Sequence, residues 1–286
     1  MKEYATEFIR NVALVGHGGS GKTSLVEACL FNTGTTTRLG KVEDGSAVSD
    51  FEDEEHRRRI SISTSVVPVE YRNYKINFLD TPGFTDFVGE VKSALRVSEA
   101  AIVLVDSVAG VEVGTELVWQ YCAELKLPRF VVINKMDRDN ANFQKAIESV
   151  QAAFKANLIP VQLPWGEKQA FKGVIGLLSM KARPNKGDQQ VEIPVEYKAV
   201  AEAARVKLVE AAAEGEDQLL EKYLGGEELT PEEVIRGFHK AVLAGSFVPV
   251  FVASATADVA ITPILDGVIR YFPAPTEEPP VHAHGK

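Results

Sequence analysis

The glycine-rich segment at residues 16–23 constrains the fold of this chain more than any other feature. It has the sequence GHGGSGKT and matches the pattern G-x-x-x-x-G-K-[ST]. Residues 11–15 are an apolar run that predicts a buried strand, and residues 24–30 have the pattern of an amphipathic helix. A glycine-rich turn before an ordinary helix is the alternative, but the strand–loop–helix context favours a loop that binds phosphate groups.

Each part of this loop has an expected task. Glycines let the backbone fold tightly so that its N–H groups converge on an anion, and the helix start adds partial positive charge. We expect Lys22 to reach the β- and γ-phosphates of a nucleotide, and the Thr23 hydroxyl to bind Mg²⁺. The predicted phosphate-binding residues are Gly16, His17, Gly18, Gly19, Ser20, Gly21, Lys22, Thr23 and Ser24.

A second motif, Asp-Thr-Pro-Gly at residues 80–83, follows an apolar run. Asp80 is therefore expected at the carboxyl end of a strand, where ligands bind in open α/β sheets. Its carboxylate would hold Mg²⁺ through the water shell of the ion, and the Gly83 N–H would bond the γ-phosphate only when that group is present. Alone, this motif is a common turn; beside the phosphate loop it predicts a segment that senses the nucleotide.

Two further motifs predict that the bound base is guanine. Asn134, Lys135 and Asp137 follow a third apolar run. Asp137 can accept hydrogen bonds from both N1–H and the amino group of guanine, a pair that adenine does not offer. We expect Lys135 to lie along the base and Asn134 to tie this loop to the phosphate loop, although a polar strand-to-helix loop would look similar. Ser254 and Ala255 would offer a backbone N–H to the guanine oxygen, but this dipeptide is too common to count alone.

Composition fits a globular protein in a reducing compartment. Hydrophobic residues make up 45% of the 286 residues and charged residues 25%, both ordinary fractions. Cys29 and Cys122 lie in apolar helical patterns without metal-ligand spacing, so we expect two core thiols. No run approaches the ~18 apolar residues of a membrane span, and residues 1–10 do not resemble a signal peptide. We therefore expect a cytoplasmic protein without membrane contact; the net charge of −9 argues against a free-standing nucleic-acid binder.

Strand and helix patterns alternate from residue 11 to about residue 155. This alternation predicts an α/β fold, a doubly wound and mostly parallel sheet with one antiparallel hairpin around residues 71–75. The strands are predicted near residues 11–16, 66–71, 75–80, 101–106 and 129–134. The helices are predicted near residues 22–31, 87–97, 112–126 and 141–155.

An insert is predicted between the two guanine motifs. Asp137 and Ser254 are 117 positions apart, where one helix and one strand would suffice. We predict short strands and three helices there, near residues 196–213, 216–224 and 231–243. Ten acidic and five basic side chains lie between residues 198 and 236, which indicates a solvated face or a docking face for a basic partner. The predicted division is a first core part at 1–157, an α+β insert at 158–245, a second core part at 246–274, and a linker at 275–286.

These motifs resemble elongation factor G, the translocation GTPase of bacterial ribosomes, over nearly the whole chain. The similar stretches are LVDSVAGVE at residues 104–112, NKMDR at 134–138, PVQLP at 160–164 and FKGVI at 171–175. The last two lie in the insert, which is similar to the G′ subdomain of that family and is missing from elongation factor Tu-like proteins.

The resemblance implies partners and further domains. It implies binding to large-subunit rRNA and, through acidic G′ helices, to the ribosomal stalk protein. Family members continue into a β-barrel domain and three more domains, so we expect this chain to be part of a longer protein. We also expect a monomer.

The chain departs from the family at Phe84, where the family has a His that orients the attacking water. Phenylalanine has no hydrogen-bonding atom and cannot take over that task directly. Hydrolysis should then be slow, although Lys22, Gly83 and Mg²⁺ remain. A hydrophobic gate at Phe84 is the alternative interpretation.

Two smaller departures lie near the phosphates. The family sequence Arg-Gly-Ile-Thr, whose Thr binds Mg²⁺, corresponds here to residues 58–61, so Ser61 keeps the hydroxyl and Arg59 replaces a glycine. We expect residues 56–59 to be a basic cluster in a mobile loop that faces solvent, rRNA or phosphate. Gly19 replaces an Asp of the family's phosphate loop.

The predicted activity is hydrolysis of GTP by an elongation factor G-like paralogue. Lys22, Gly83 and the Phe84 position would serve catalysis; Thr23, Ser61 and, through water, Asp80 would hold Mg²⁺. Two alternatives stay open. The chain is a GTP-binding switch with little hydrolysis, or it belongs to a factor for ribosome protection or recycling.

Overall fold

Ten strands form two sheets in the computed structural model, which describes residues 2–185 and 189–278. The strands are β1 (Ile9–Gly16), β2 (Ser65–Tyr71), β3 (Tyr74–Asp80), β4 (Ala100–Asp106), β5 (Arg129–Asn134), β6 (Leu158–Pro160), β7 (Gln162–Trp165), β8 (Gly173–Gly176), β9 (Lys181–Pro184) and β10 (Val248–Val252). The large sheet has the order β2-β3-β1-β4-β5-β10-β6, and the small sheet has the order β7-β8-β9. In the large sheet, every pairing is parallel except that of β2 with β3. The doubly wound α/β fold with one antiparallel hairpin is therefore confirmed.

Nine α-helices surround the sheets in the part of the chain that the structure describes. They are α1 (Lys22–Asn32), α2 (Asp53–Arg58), α3 (Val88–Arg96), α4 (Val113–Glu124), α5 (Phe143–Phe154), α6 (Val195–Ala213), α7 (Asp217–Leu224), α8 (Pro231–Leu243) and α9 (Ile261–Tyr271). Short 3-10 turns lie at Thr6–Phe8, Thr85–Phe87, Lys168–Ala170 and Pro275–Glu277. None of the helices within these described residues is long and apolar enough to cross a membrane.

The central strands are buried on both faces, as a parallel sheet between two helical layers requires. Successive residues of β1 enter different cores: Val12 and Leu14 pack in one, and Ala13 and Val15 in the other. The first core also contains side chains of α1 and α9, and the second contains those of α3, α4 and α5. This layering places the carboxyl ends of the strands, and the loops that follow them, at one edge of the sheet.

The two cysteines lie in these two cores as free thiols. Cys29 of α1 is buried in the first core and Cys122 of α4 in the second. Burial raises the pKa of Cys122 to about 11 and also raises that of Cys29, because a thiolate is poorly solvated among apolar side chains. Both thiols therefore serve packing, as the sequence predicted.

The insert region shares a core with the rest of the domain. Phe238 of α8 packs against Phe247 and against Tyr271 of α9, with ring centroids 4.5 and 4.7 Å apart. The first three residues of the predicted insert, Leu158–Pro160, form β6, which pairs with β10 at the edge of the large sheet. The sequence analysis also did not predict the strand β9 or the helix α2. The division at residue 158 therefore assigns an edge strand of the large sheet to the insert, and the division into core and insert remains a proposal.

The beginning of the predicted linker, at residues 275–278, lies against the domain. The Glu277 carboxylate is 2.9 Å from His239 Nε2 and accepts a hydrogen bond from the Ala274 N–H at 2.7 Å. Residues 279–286 of the predicted linker lie outside the described residues.

Candidate nucleotide-binding site

A cleft of about 350 Å³ lies at the edge of the sheet where β1, β3 and β5 end. Predicted site residues that line it are Gly18, Gly19, Gly21, Lys22, Thr23, Ser24, Ser61, Gly83, Phe84, Asn134 and Lys135. Predicted site residues that do not line the cleft are Gly16, His17, Ser20, Asp80, Asp137, Ser254 and Ala255. Lining residues that the sequence analysis did not assign to the site are Val42, Glu43, Arg59, Ile60, Thr81, Arg138 and Thr256.

The phosphate loop connects β1 to α1, and main-chain oxygens of the loop hold its lysine in place. Lys22 Nζ donates to the main-chain oxygens of Gly16 and His17, each at 3.0 Å. Burial lowers the pKa of Lys22 to about 8, because a charged ammonium loses its water there. An anion in the cleft would favour the charged form, so this lysine is suited to bind phosphate.

The segment after β3 lies directly against this loop. A Cβ atom at Gly83 would lie 2.5 Å from Lys22 Nζ and 2.6 Å from the Cα of Gly18. Only glycine fits so close to the loop, so the Gly83 backbone lies beside the lysine that is expected to hold the γ-phosphate. The contact supports the predicted sensing segment.

Three oxygen-bearing side chains that were predicted to hold Mg²⁺ lie together. Thr23 Oγ1 donates to Asp80 Oδ2 at 2.8 Å and lies 3.1 Å from Ser61 Oγ. Asp80 Oδ1 is buried and has no hydrogen-bond partner among the described residues. Burial also raises the pKa of Asp80 to about 6. Hard oxygen ligands and a buried carboxylate oxygen with no partner fit Mg²⁺.

The segment that carries Ser61 is ordered by two buried carboxylates that the sequence analysis did not single out. Ser61 Oγ donates to Asp50 Oδ1 at 2.8 Å. The Glu55 carboxylate accepts four backbone N–H groups, from Phe51, Glu52, Ile62 and Ser63, at 3.0, 3.0, 2.8 and 3.1 Å. Burial raises the pKa of Glu55, but these hydrogen bonds outweigh it and the pKa lies below its usual value. Glu55 thereby closes residues 51–63 into a compact turn around α2, which contains most of the basic cluster predicted at residues 56–59.

Asn134 joins the loops at the opposite end of the cleft. Its Nδ2 donates to the Ser20 oxygen at 2.9 Å, and its Oδ1 accepts from the Ala255 N–H at 3.0 Å. A backbone N–H of Ser254 or Ala255 was predicted to meet the guanine oxygen; in this structure the Ser254 N–H donates to the Val259 oxygen at 3.1 Å and the Ala255 N–H donates to Asn134. Sequence reasoning missed this because the pairing depends on how an amide packs across three loops. Thr256, the next residue, lines the cleft.

The other predicted base-binding residues are positioned by hydrogen bonds. Ser254 Oγ donates to Asp137 Oδ1, which holds that carboxylate at the end of the loop. Lys135 Nζ lies 2.7 Å from Asp106 Oδ2, an ion pair that the sequence analysis did not foresee. Lys135 lines the cleft, whereas Asp137 does not.

Two predicted residues have unexpected surroundings. The Phe84 side chain is 46% exposed, and its ring covers Gly18, where an added Cβ would lie 3.3 Å from Phe84 Cζ. His17 turns away from the cleft: its Nδ1 accepts from the Gly114 N–H at 3.2 Å, and its Nε2 is 3.5 Å from Glu112 Oε1. His17 therefore contributes its backbone, not its ring, to the phosphate loop.

The charge of the cleft favours a polyanion. Four cationic side chains line it, Lys22, Arg59, Lys135 and Arg138, and one carboxylate, Glu43. Such a balance attracts phosphate groups.

Comparison with known proteins identifies the family. The sequence profile described as the elongation factor Tu GTP-binding domain matches residues 7–274. A crystal structure of a protein from Thermus thermophilus is similar, with 38% sequence identity and a TM-score of 0.89. The match covers 95% of this chain and 41% of that one, so this chain spans less than half the length of the Thermus protein. Because the profile covers most of its length, the chain belongs to the elongation factor Tu GTP-binding domain family.

Proposed function

We propose that this chain is the GTP-binding and GTP-hydrolysing domain of an elongation factor G-like, ribosome-associated translation factor. One observation carries the proposal: the Lys22 amine, the Thr23–Asp80 pair and the Asn134 amide all meet at one cleft. Side chains suited to phosphate, Mg²⁺ and a base thus line or adjoin the same cleft, which supports a nucleotide site.

Within this site, Lys22 and the Gly83 N–H would bind the γ-phosphate, and Asp137 would bind the guanine edge. Thr23 and Ser61 would hold Mg²⁺ directly and Asp80 would hold it through water. When bound, the ion neutralises charge on the β- and γ-phosphates. The chain itself positions the nucleotide and stabilises charge that develops on the transferred phosphoryl group.

The test is phosphate release from GTP by the full-length protein, with and without ribosomes. We expect slow release alone and strong stimulation by ribosomes. Absence of both GTP binding and release would overturn the proposal.

A GTP-binding switch with little hydrolysis is the second candidate, and Phe84 favours it. The ring lies over Gly18 but has no hydrogen-bonding atom and cannot orient a water for attack. If the parent binds GTP without turnover and a Phe84→His variant releases phosphate, the switch is the correct function. Strong turnover by the parent would rule it out.

The proposed partners follow from the insert and from the family resemblance. We infer that the full-length protein contacts large-subunit rRNA and the stalk protein as a cytoplasmic monomer, the latter through the acidic helices α6 to α8. A role in ribosome protection or recycling would depend on parts of the protein beyond this chain. Pull-down of the stalk protein, with and without charge-neutralised α7, tests the acidic contact.

A further inference from the structure

Arg59 is an arginine at an unusual backbone position beside the proposed phosphate site. It ends α2 with a φ of 56°, in the left-handed region that favours glycine. A glycine occupies this position in the resembling family. The substitution therefore places a long cationic side chain on a strained backbone position, although the turn itself requires no side chain there.

The neighbouring arginines are used differently. Arg57 Nη2 lies 2.8 Å from Glu54 Oε1, and Arg58 Nε pairs with the same carboxylate. Both pairs lie on the exposed side of α2. Arg59 lines the candidate cleft instead, and within residues 2–185 and 189–278 its guanidinium does not share the ion pairs or side-chain hydrogen bonds of its neighbours.

The surroundings place Arg59 at the phosphate end of the cleft. It precedes Ile60 and Ser61, which line the same wall, and Ser61 is in contact with Thr23. The remaining two cationic side chains of the cleft lie within 4 Å of Asp106 at the base end; they are Lys135 and Arg138. Arg59 is thus the cation that accompanies Lys22 among the described residues of the phosphate end.

We propose that Arg59 is a catalytic residue that contacts the γ-phosphate of GTP and stabilises the charge that develops during hydrolysis. This inference rests on the proposed GTPase function. In the reaction, water oxygen forms a bond to the γ-phosphorus, and the bond from that phosphorus to the β–γ bridging oxygen breaks. The bridging oxygen leaves with the electron pair as part of GDP, and a proton of the water passes to the released phosphate.

Arg59 keeps its protons throughout, since a guanidinium is not deprotonated in proteins. It donates N–H groups to the γ-phosphate oxygens or the bridging oxygen, in a fork that lysine cannot reproduce. Arg59 thus stabilises charge. It does not orient the attacking water, the task for which the family has a His at the position of Phe84.

Glu55 makes the position of Arg59 reproducible. Its four backbone hydrogen bonds close the chain on both sides of Arg59, from Phe51 to Ser63. These bonds fix the backbone from which Arg59 extends, so less of the chain must be ordered before its guanidinium can stabilise a transition state.

The test uses the full-length protein, its Arg59→Gly and Arg59→Lys variants, and Arg57→Ala as the matched control. Glycine accepts the left-handed backbone, so the first variant keeps the turn. Single-turnover hydrolysis of GTP is measured with and without ribosomes, and affinity is measured for a fluorescent GDP. We expect Arg59→Gly to keep GDP affinity within about twofold and to lose at least about tenfold in hydrolysis rate in both conditions, a threshold well below the roughly 10³- to 10⁵-fold effect of arginine fingers. Arg59→Lys should recover only part of the loss, and Arg57→Ala should match the parent.

Several results would overturn the role of Arg59. One is an equal hydrolysis rate in the parent and Arg59→Gly, and another is an equal loss of hydrolysis rate in Arg57→Ala. A third is a loss of rate that appears only with ribosomes, which would indicate that Arg59 contacts the ribosome. A parent that binds GTP but never hydrolyses it would overturn the hydrolytic part of the proposed function as well. That outcome is distinguishable because it is measured on the parent alone.

Discussion

Asn134 Nδ2 donates a hydrogen bond to the main-chain oxygen of Ser20 at 2.9 Å, across 114 positions of the chain. The Oδ1 atom of the same amide accepts from the Ala255 N–H at 3.0 Å. One buried side chain therefore joins the phosphate loop, the strand end that carries the predicted guanine motif, and the last loop of the site. Its position depends on the space beside Gly21.

Gly21→Ala should disrupt this junction. The new Cβ would lie 2.4 Å from Asn134 Nδ2, and the φ of 98° disfavours any side chain. We expect a loss of about 1–3 kcal/mol in the free energy of unfolding and weaker binding of GDP, measured by denaturant unfolding and fluorescent-nucleotide titration. Gly226→Ala is the control, because its φ of 82° is similarly strained, no atom lies within 4 Å of the added Cβ, and Gly226 does not line the cleft. An equal loss of GDP affinity in both variants would show that the contact with Asn134 does not cause the loss.

Glu55→Ala should loosen the segment that carries Ser61. Four backbone N–H groups would lose their acceptor, and we expect local opening to become easier by about 2 kcal/mol, or roughly thirtyfold. Hydrogen exchange of residues 50–63 measures this. The Glu54→Ala variant is the control, because that carboxylate pairs with arginine side chains of α2, and it should leave exchange of Ile62 and Ser63 unchanged.

The pH dependence of this segment has a defined sign. Because the pKa of Glu55 is lowered in the folded chain, its contribution to stability is present above the usual carboxyl value of 4.5 and is lost as the pH falls through the lower folded value. Exchange of residues 50–63 in the parent should therefore accelerate on acidification below about pH 4.5, and much less so in Glu55→Ala. An equal acceleration in both proteins would assign the effect to other groups.

The insert and the core should unfold together, because they share a hydrophobic core. Phe238→Ala removes the ring that packs against Phe247 and Tyr271, and we expect a loss of about 3–5 kcal/mol. The melting curve should keep a single transition at a lower temperature. Val200→Ala on α6 is the control, since Val200 is exposed. Two separate transitions, with only one shifted by Phe238→Ala, would contradict a shared core.

Much of the framework was predictable because its signals are local. The unbroken apolar runs of β1, β4 and β5 indicated buried parallel strands, and the polar residues at their ends indicated where a ligand would bind. The spacing of Asp137 and Ser254 indicated an insert, and the helices α6, α7 and α8 lie where their periodicity predicted. The predicted site residues also lie in or directly behind one cleft.

The features that sequence missed depend on contacts between distant segments. Nothing local distinguishes the buried Glu55 from the more exposed Glu54 beside it, so the compact turn around α2 was not predicted. The pairing of the Ala255 N–H with Asn134 needs three loops to meet, and the edge strand β6 needs β10, which lies about 90 residues later. Likewise, Arg57 and Arg58 pair with Glu54, and only this pairing shows that Arg59 differs from them.

Competition between nucleotides tests guanine binding, the central claim, most directly. A fluorescent GDP bound to the full-length protein is displaced by GTP or ATP, in the parent, in Asp137→Ala, and in an Asp139→Ala control whose native carboxylate accepts a hydrogen bond from Gln169 Nε2. We predict that the parent and the control require at least about a hundredfold more ATP than GTP, because adenine leaves Asp137 unpaired. Asp137→Ala should lose that preference while it keeps the parental melting temperature. Equal displacement of GDP by ATP and GTP in the parent would contradict the assignment of this cleft to guanine nucleotides.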